Sequence, residues 1–424
     1  MKIKTKTLSY EEVMALPRPR HRKPMRPWFL LQLVVRILAV LDLLPTKFTF
    51  KTHGMEKISK NEPCLILMNH SSFIDLKIAS RIFFPKPYGI VCTSDGFVGK
   101  NWLMRLLGCI PTQKFVSDVS LIRDMEYLLK KKRTSVLMYP EASYSFDGTA
   151  TPLPRKMGVL LKKLNVPVVT VITQGAFARD PLYNCLQKRK VKVRADVSCL
   201  ATAEEIRELS VAQLDAMLDE AFSFDNFRYQ QENGIVIDEP FRADGLNRIL
   251  YRCPHCQTEG QTIGKGVTLT CKHCGAEYTL DERGYLTGKS PAFTHIPDWY
   301  AWQRQQVRKE LEEGTYRLEK DVRIAILVNT KALYWVGTGK LIHDVNGFRL
   351  TGCDGKLDYS QGPLACYGLY SDYYWYEIGD VICIGNKDAL YYCFPSGDDV
   401  VTKTRLATEE LYKLKKGKKQ PSMA

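Results

Sequence analysis

Between Thr46 and Ile237 the chain alternates short apolar runs with longer stretches of helical period, and no other feature limits its fold so strongly. PCLILMNH, PYGIVCTS, RTSVLMYP, VPVVTVIT and VKVRADVSCL read as strands rich in Val, Ile and Leu. FIDLKIASRIF, WLMRLLG, VSLIRDMEYLLKKK, MGVLLKKL and AEEIRELSVAQLDAMLDEAF read as the helices between them. Strands that alternate with helices build an α/β domain around a largely buried sheet. The 424 residues exceed one such domain, and a hydrophobic content of 45% excludes both a mainly disordered chain and a polytopic membrane protein.

The pattern divides the chain into six parts. Residues 1–45 are a basic arm and an apolar helix, 46–240 the α/β domain, and 250–290 a cysteine-containing module. Residues 297–315 form a charged amphipathic linker helix, and 320–412 a β-rich module ending in the helix ATEELYKL. In residues 413–424, Lys413, Lys415, Lys416, Lys418 and Lys419 read as a disordered basic tail. The aromatic-rich 367–394 stretch has strand spacing, which suits sheet core and cross-strand pairs better than a base-stacking surface. Its strands-then-helix order is loosely similar to pleckstrin-type modules, an analogy of fold alone.

Charge points to the class of partner. Lys+Arg total 61 against 46 Asp+Glu, a net +15, which favours anionic surfaces and substrates. Eight of the basic residues precede Trp28, opposed there only by Glu11 and Glu12. The run WFLLQLVVRILAVLDLL, Trp28 to Leu44 between Pro27 and Pro45, spans about 25 Å as a helix, short of the ~30 Å hydrocarbon core. It also contains Arg36 and Asp42, each costly at a bilayer centre. A helix lying in the membrane interface behind a basic flank fits these facts, with a buried first helix as the plainer alternative. No small-residue cleavage site follows, so no cleaved signal peptide is expected.

Thirteen cysteines, an odd number, lie mostly within apolar runs (Cys64, Cys92, Cys109, Cys199, Cys383), as small core residues of a reducing compartment do. Four others form two knuckles, CPHC and CKHC: Cys253, Cys256, Cys271 and Cys274. Two CxxC pairs across a glycine-containing hairpin predict a zinc ribbon with a structural, closed Zn²⁺ site. Redox chemistry is the competing reading, but neither pair opens a helix in a βαβ unit. His255 and His273 lie inside the knuckles as bystanders.

The strongest chemical signal is LILMNHSSFID, residues 65–75, where an apolar strand gives way to Asn69, His70 and Ser71 before a helix. If His70 precedes the helix and Asp75 sits in its first turn, the carboxylate reaches back to one ring nitrogen and leaves the other as a general base. A capping-region His beside a dipole-favoured Asp fits the same spacing. Ser71 or Ser72 is the expected N-cap.

Asn69-His70-x4-Asp75 resembles the N-H-x4-D motif of the glycerolipid acyltransferases, the 1-acylglycerol-3-phosphate (lysophosphatidate) acyltransferases of PlsC type. Three further stretches follow in that family's order. CTSDGFVGKNWLMRLLGCIPTQK resembles the second motif through Gly108, Ile110 and Lys114. YPEASYSFDG resembles F-P-E-G-T-R-S through Tyr139, Pro140, Glu141 and Ser143. LNVPVVTVIT resembles the V-P-[IV]-[VI]-P strand through Val166, Pro167, Val168 and Val169. The resemblance covers about residues 46–200 and implies an α/β acyltransferase domain, with His70 as general base oriented by Asp75. It implies acceptor binding by Asn69, Lys114, Glu141 and Ser143. Neither Ser143 nor Ser145 lies in a G-x-S-x-G elbow, so neither is given a nucleophilic role.

The departures bear on the acceptor. Ala142 stands where the family has Gly, Tyr144 where it has Arg, and Lys114 where it has Arg. Losing the Arg fork removes a bidentate phosphate grip. Arg155 and Lys156 can restore the positive charge. The resemblance thus implies transfer from acyl-CoA or acyl-carrier protein to the free hydroxyl of lysophosphatidate, making phosphatidate in phospholipid synthesis. The expected setting is peripheral or monotopic on an anionic membrane surface, at the cytoplasmic face of a bacterial cell membrane. The expected oxyanion donors are N–H groups at the helix start after Ser71. Two alternatives stay open: another lysolipid acceptor, and a zinc-ribbon nucleic-acid-binding protein. The second leaves all four ordered motifs unused, so no nucleic acid is expected.

Overall fold

The computed structural model describes residues 2–116, 118–154, 156–397 and 400–417. Arg155, and Lys418 and Lys419 of the basic tail, lie outside the described residues. The chain opens with a strand β1 (Thr5–Thr7) and a short helix α1 (Tyr10–Met14), which Ser9 and Glu12 close in a capping box. An apolar helix follows, α2 (Phe29–Leu43).

The α/β domain comes next: β2 (Thr49–His53), β3 (Leu65–Met68), α3 (Asp75–Phe83), β4 (Tyr88–Thr93), α4 (Asn101–Leu106), β5 (Cys109–Thr112), α5 (Val119–Glu126), β6 (Ser135–Met138), α6 (Met157–Leu164), β7 (Val168–Gln174), α7 (Ala176–Arg179) and β8 (Arg194–Ala201). Its helices end with α8 (Ala203–Glu208), α9 (Val211–Ala221) and α10 (Asn226–Glu232). The sheet runs β2-β8-β7-β3-β6-β4-β5. Strands β7, β3, β6, β4 and β5 are parallel, while β8 runs antiparallel to β7 and carries β2 parallel to itself. Leu65, Leu67 and Val136 point into one apolar layer, and Ile66, Met68 and Leu137 into the other. Burial on both faces explains why these strands read as unbroken apolar runs. The expected single helix over 203–222 is two, because Ser210 caps a new start at Val211.

Four short strands form the next sheet: β9 (Thr262–Lys265), β10 (Thr268–Cys271), β11 (Glu277–Leu280) and β12 (Leu286–Thr287), in the order β12-β11-β10-β9. Then come α11 (Ile296–Glu313) and the antiparallel strands β13 (Leu318–Leu327), β14 (Leu333–Asp344), β15 (Gly347–Gly352), β16 (Leu357–Gln361), β17 (Tyr370–Trp375), β18 (Gly379–Gly385) and β19 (Leu390–Pro395). They order as β16-β15-β14-β13-β19-β18-β17, followed by α12 (Val400–Gly417) against α11 and β17. Because α12 runs on to Gly417, Lys413, Lys415 and Lys416 are helical, contrary to the disordered tail expected for them.

The N-terminal arm is built into the molecule. β1 pairs in parallel with β14, Thr5 opposite Leu333 and Thr7 opposite Trp335, along the part of β14 that β15 leaves uncovered. Further on, the Trp28 N–H donates to the Leu106 carbonyl at 2.8 Å. α2 is oriented with its apolar stripe outward. Leu30, Val34, Ile37, Leu38 and Leu41 are exposed, while Ala39 and Leu43 are buried and Gln32 and Arg36 half-buried. Asp42 faces inward to Lys77 on α3 and to Arg179, 3.2 Å away. By length and composition, Phe29–Thr46 is the single candidate membrane span among the described residues.

Candidate functional site

In a parallel sheet, the loops leaving the carboxyl ends of neighbouring strands converge on one crevice. Here β3 ends at Met68 and delivers Asn69 and His70, while its neighbour β6 ends at Met138 and delivers Tyr139 and Glu141. β5 contributes Lys114 from the same side. Asp75 is the first residue of α3, which brings its carboxylate back to His70: Nδ1 lies 3.0 Å from Asp75 Oδ2. The same oxygen accepts the N–H groups of Ser71 (2.9 Å) and Ser72 (3.1 Å). Those N–H groups therefore hold the carboxylate, which takes the Ser72 N–H out of the oxyanion donors expected after Ser71. Nor does Ser71 or Ser72 cap the helix at its N-cap position, which Ile74 occupies; the Ser72 Oγ instead accepts the Ile74 N–H and donates to Asp180.

The imidazole lies between two aromatic rings. Tyr144 stacks on one side at 3.7 Å between centroids, and Tyr139 contacts it at 4.1 Å. Phe73, exposed, stacks in turn on Tyr144 at 5.3 Å. Burial holds His70 well below its ordinary 6.5, and the nearby positive charge of Lys114 pushes the same way. Burial raises Asp75 to about 8, opposed by the Ser72 and Ser71 N–H bonds. At neutral pH the ring is thus uncharged; Asp75 Oδ2, which already accepts two backbone N–H groups, is the acceptor for Nδ1–H, and Nε2 is the remaining basic nitrogen.

The residues expected to bind an acceptor divide into two groups. Asn69 is fully buried: its amide donates to Ser71 Oγ and the Thr173 carbonyl, and its oxygen accepts from Thr173 N at 2.8 Å. Glu141 is equally buried. One oxygen accepts the His70 N–H (2.8 Å), the other the N–H and hydroxyl of Thr151 (2.7 and 3.0 Å). Ser143 Oγ accepts from Arg405 at 2.9 Å. These three are bonded within the protein and shape the loops around His70. Lys114 and Lys156 are different. Lys114 Nζ lies over the rings of Tyr370 (4.3 Å) and Tyr144 (5.9 Å), and Lys156 is exposed just before α6, with φ at 66°.

Residues 49–174 match the family model named Acyltransferase. The chain carries an acyltransferase-family domain. Curated relatives include a chloroplast 1-acyl-sn-glycerol-3-phosphate acyltransferase of Brassica napus, 29% identical over 34% of this chain and 42% of that protein. Another, from Saccharomyces cerevisiae, is 24% identical over 44% of this chain and 62% of its own length. The chain thus spans less than two thirds of the length of these relatives. A crystal structure of the 1-acyl-sn-glycerophosphate acyltransferase PlsC from Thermotoga maritima aligns at TM-score 0.35 and 17% identity, covering 46% of this chain and 81% of that one.

Within the acyltransferase domain, Gly108 of the second motif has a physical reason to lack a side chain. Its φ is +79°, and a Cβ there would lie 2.5 Å from Pro27 Cγ, so the motif seats the entry to α2. Sequence reasoning missed the ring contact of Tyr144, the arginine that holds it, and Asp180 beneath Ser72. Tyr144 was visible only as a departure from the motif. Arg405 has no local signal, standing 261 residues from the carbonyl it contacts.

The four knuckle cysteines meet as spaced. All four Sγ atoms lie within 4.8 Å of one another, with Cys253–Cys274 and Cys256–Cys271 both at 3.7 Å. A tetrahedron of thiolates about 2.3 Å from a zinc ion has edges of roughly 3.8 Å, so the donor set fits that metal in size and chemistry.

Proposed function

We propose that this chain transfers an acyl group from a thioester donor, acyl-CoA or acyl-carrier protein, to the free hydroxyl of a lysophospholipid. Lysophosphatidate, giving phosphatidate, is the preferred acceptor. The observation that carries this reading is the His70–Asp75 contact, made by a ring that stays neutral at working pH. His70 Nε2 takes the proton of the acceptor hydroxyl as its oxygen bonds to the thioester carbon. The tetrahedral intermediate then expels the thiolate, which recovers that proton from the imidazolium. Asp75 keeps Nδ1–H oriented and stabilises the transient charge. Lys114 supplies the positive field for an anionic acceptor, and by sequence Arg155 and Lys156 are further candidate cations for it.

The exposed stripe of α2, together with the exposed Phe73, Leu76 and Trp102, supports work at a membrane interface. A Zn²⁺ ion held by Cys253, Cys256, Cys271 and Cys274 would be structural, since four protein ligands leave no open position. A neutral or zwitterionic lysolipid is the second reading, favoured by the Tyr370 and Tyr144 rings already against Lys114.

The test is labelled acyl-CoA and acyl-carrier protein offered with lysophosphatidate and with phosphate-free and zwitterionic lysolipids. Phosphatidate formation that His70→Ala lowers by about 10²-fold or more, in folded protein, is the expected result. Equal rates with and without the phosphate would reject lysophosphatidate. Turnover retained in His70→Ala would reject the base.

A further inference from the structure

The C-terminal module reaches the His70 loop through one buried side chain. Arg405, on α12, is 3% exposed. Its Nη1 donates to the Tyr144 carbonyl (3.0 Å) and its Nη2 to Ser143 Oγ (2.9 Å), while its guanidinium lies 4.3 Å from the centre of the Phe146 ring. The segment it grips holds His70 at three points. Glu141 accepts the His70 N–H, Ser145 N–H donates to the His70 carbonyl at 3.1 Å, and Tyr144 covers the ring. That segment needs support, because Ala142 sits at φ +57°, a left-handed conformation unfavourable for a residue with a Cβ. Arg405 is itself anchored. Its Nε donates to Glu409, whose other oxygen accepts from Arg304 on α11 at 2.6 Å.

We propose that Arg405 is a positioning residue for the His70 site, fixing residues 143–146 from the C-terminal module so that Tyr144 stays stacked on the imidazole. A planar fork reaches two acceptors on adjacent residues at once, which a lysine ammonium cannot do in the same geometry. The module then belongs to the catalytic centre, a consequence that rests on the acyl-transfer reading; the positioning itself does not.

Several groups face the imidazole. They are Asp75 from the start of α3, Tyr139 and Tyr144 from the loop after β6, and Lys114 from beyond β5, while Glu141 meets the His70 backbone N–H. Burial, and then the charges of Asp75, Asp372 and Asp180, hold the Tyr144 hydroxyl well above its ordinary range. If Tyr144 swings away, water reaches the ring and the burial that depresses its basicity weakens, while Lys114 stays in place. The pKa of His70 then climbs toward its ordinary 6.5. A defect that merely lowered the folded fraction would reduce activity without moving that titration.

The experiment is a titration by NMR of full-length, zinc-loaded protein carrying ¹³C-labelled histidine, with the His70 resonance assigned through His70→Gln. Arg405→Met is compared with Arg405→Lys, which keeps the buried cation; in both, Glu409 retains Arg304. The expected result is a His70 midpoint that moves up toward 6.5 in Arg405→Met, less in Arg405→Lys, with the other histidines unchanged. In the same preparations kcat falls about tenfold in Arg405→Met with the acyl-donor KM unchanged. A folded Arg405→Met whose His70 titrates as in the wild type overturns the proposal. A His70 shift in a protein that transfers no acyl group supports the positioning and overturns the acyl-transfer reading instead.

Discussion

Lys114 does two things at once in this site. Its ammonium helps keep His70 neutral, and under the proposed acyl-transfer reading it is also the cation on which an acceptor phosphate would settle. Replacing it with Met removes one of the two influences that depress His70, so the imidazole protonates at higher pH. A general base is active when unprotonated, so the acid limb of kcat/KM should shift upward in Lys114→Met, with KM rising more for a phosphate-bearing acceptor than for a neutral one. A pH profile with both acceptors measures each effect; an unmoved acid limb would separate Lys114 from the base. Asp75→Asn should cost about 10²-fold in kcat with an unchanged Tm, because the amide can leave the ring in the wrong tautomer. The His70–Asp75 pair was legible in the sequence because both members lie within six residues, where a strand end and a helix start fix their separation. Glu141 was legible as important but not in its role. Its partners His70 and Thr151 become visible only once β3 and β6 are neighbours.

The helix α2 shows at the next scale what periodicity can and cannot tell. Its apolar and polar stripes were readable, and Pro27 and Pro45 bound it in sequence as they do in space. Which stripe faces the protein was not readable, because that depends on Asp42 finding Lys77 and Arg179 on other elements. The half-polar side lies against α3 and the apolar side is bare: Ile37 is 54% and Leu41 60% exposed. Burying each such side chain in lipid is worth about 2 kcal/mol. The double change Ile37→Glu with Leu41→Glu should therefore lower binding to anionic vesicles more than about tenfold while leaving Tm unchanged, which co-sedimentation and calorimetry would check. β1 was missed for a plain reason. Three residues, TKT, all exposed, carry no apolar alternation, and only the uncovered part of β14 makes them a strand.

At the scale of the whole molecule, the parts that composition separates share one interior. A single apolar cluster runs from Val13 through Phe146, Phe177 and Tyr183 to Tyr251, Tyr278, Trp299, Ile324 and Leu411, joining the N-terminal arm, the α/β domain, the four-cysteine sheet and the C-terminal module. The cysteine sheet is an internal wall of this assembly, with Tyr278 against Trp299 at 4.9 Å. If the four cysteines hold zinc as proposed, removing it with a chelator under reducing conditions should thus lower Tm of the entire chain by at least about 5 °C, and re-adding zinc should restore it; calorimetry without any change would mean the sheet does not depend on a metal. Deleting residues 250–424 should yield insoluble protein rather than a smaller enzyme, because Val13, Phe146 and Phe177 would lose the partners that bury them.

The pairing of Thr5–Thr7 with Leu333–Trp335 also sets an order of events during synthesis. The first strand leaves the ribosome tens of seconds before the strand that receives it. In that interval the bare helix Phe29–Leu43 is already outside and free to meet a bilayer. The amino end can be locked down only after the C-terminal sheet exists. The pairing of β1 therefore waits for β14, and a chain cut short before residue 333 keeps its apolar helix bare and Thr5–Thr7 unpaired.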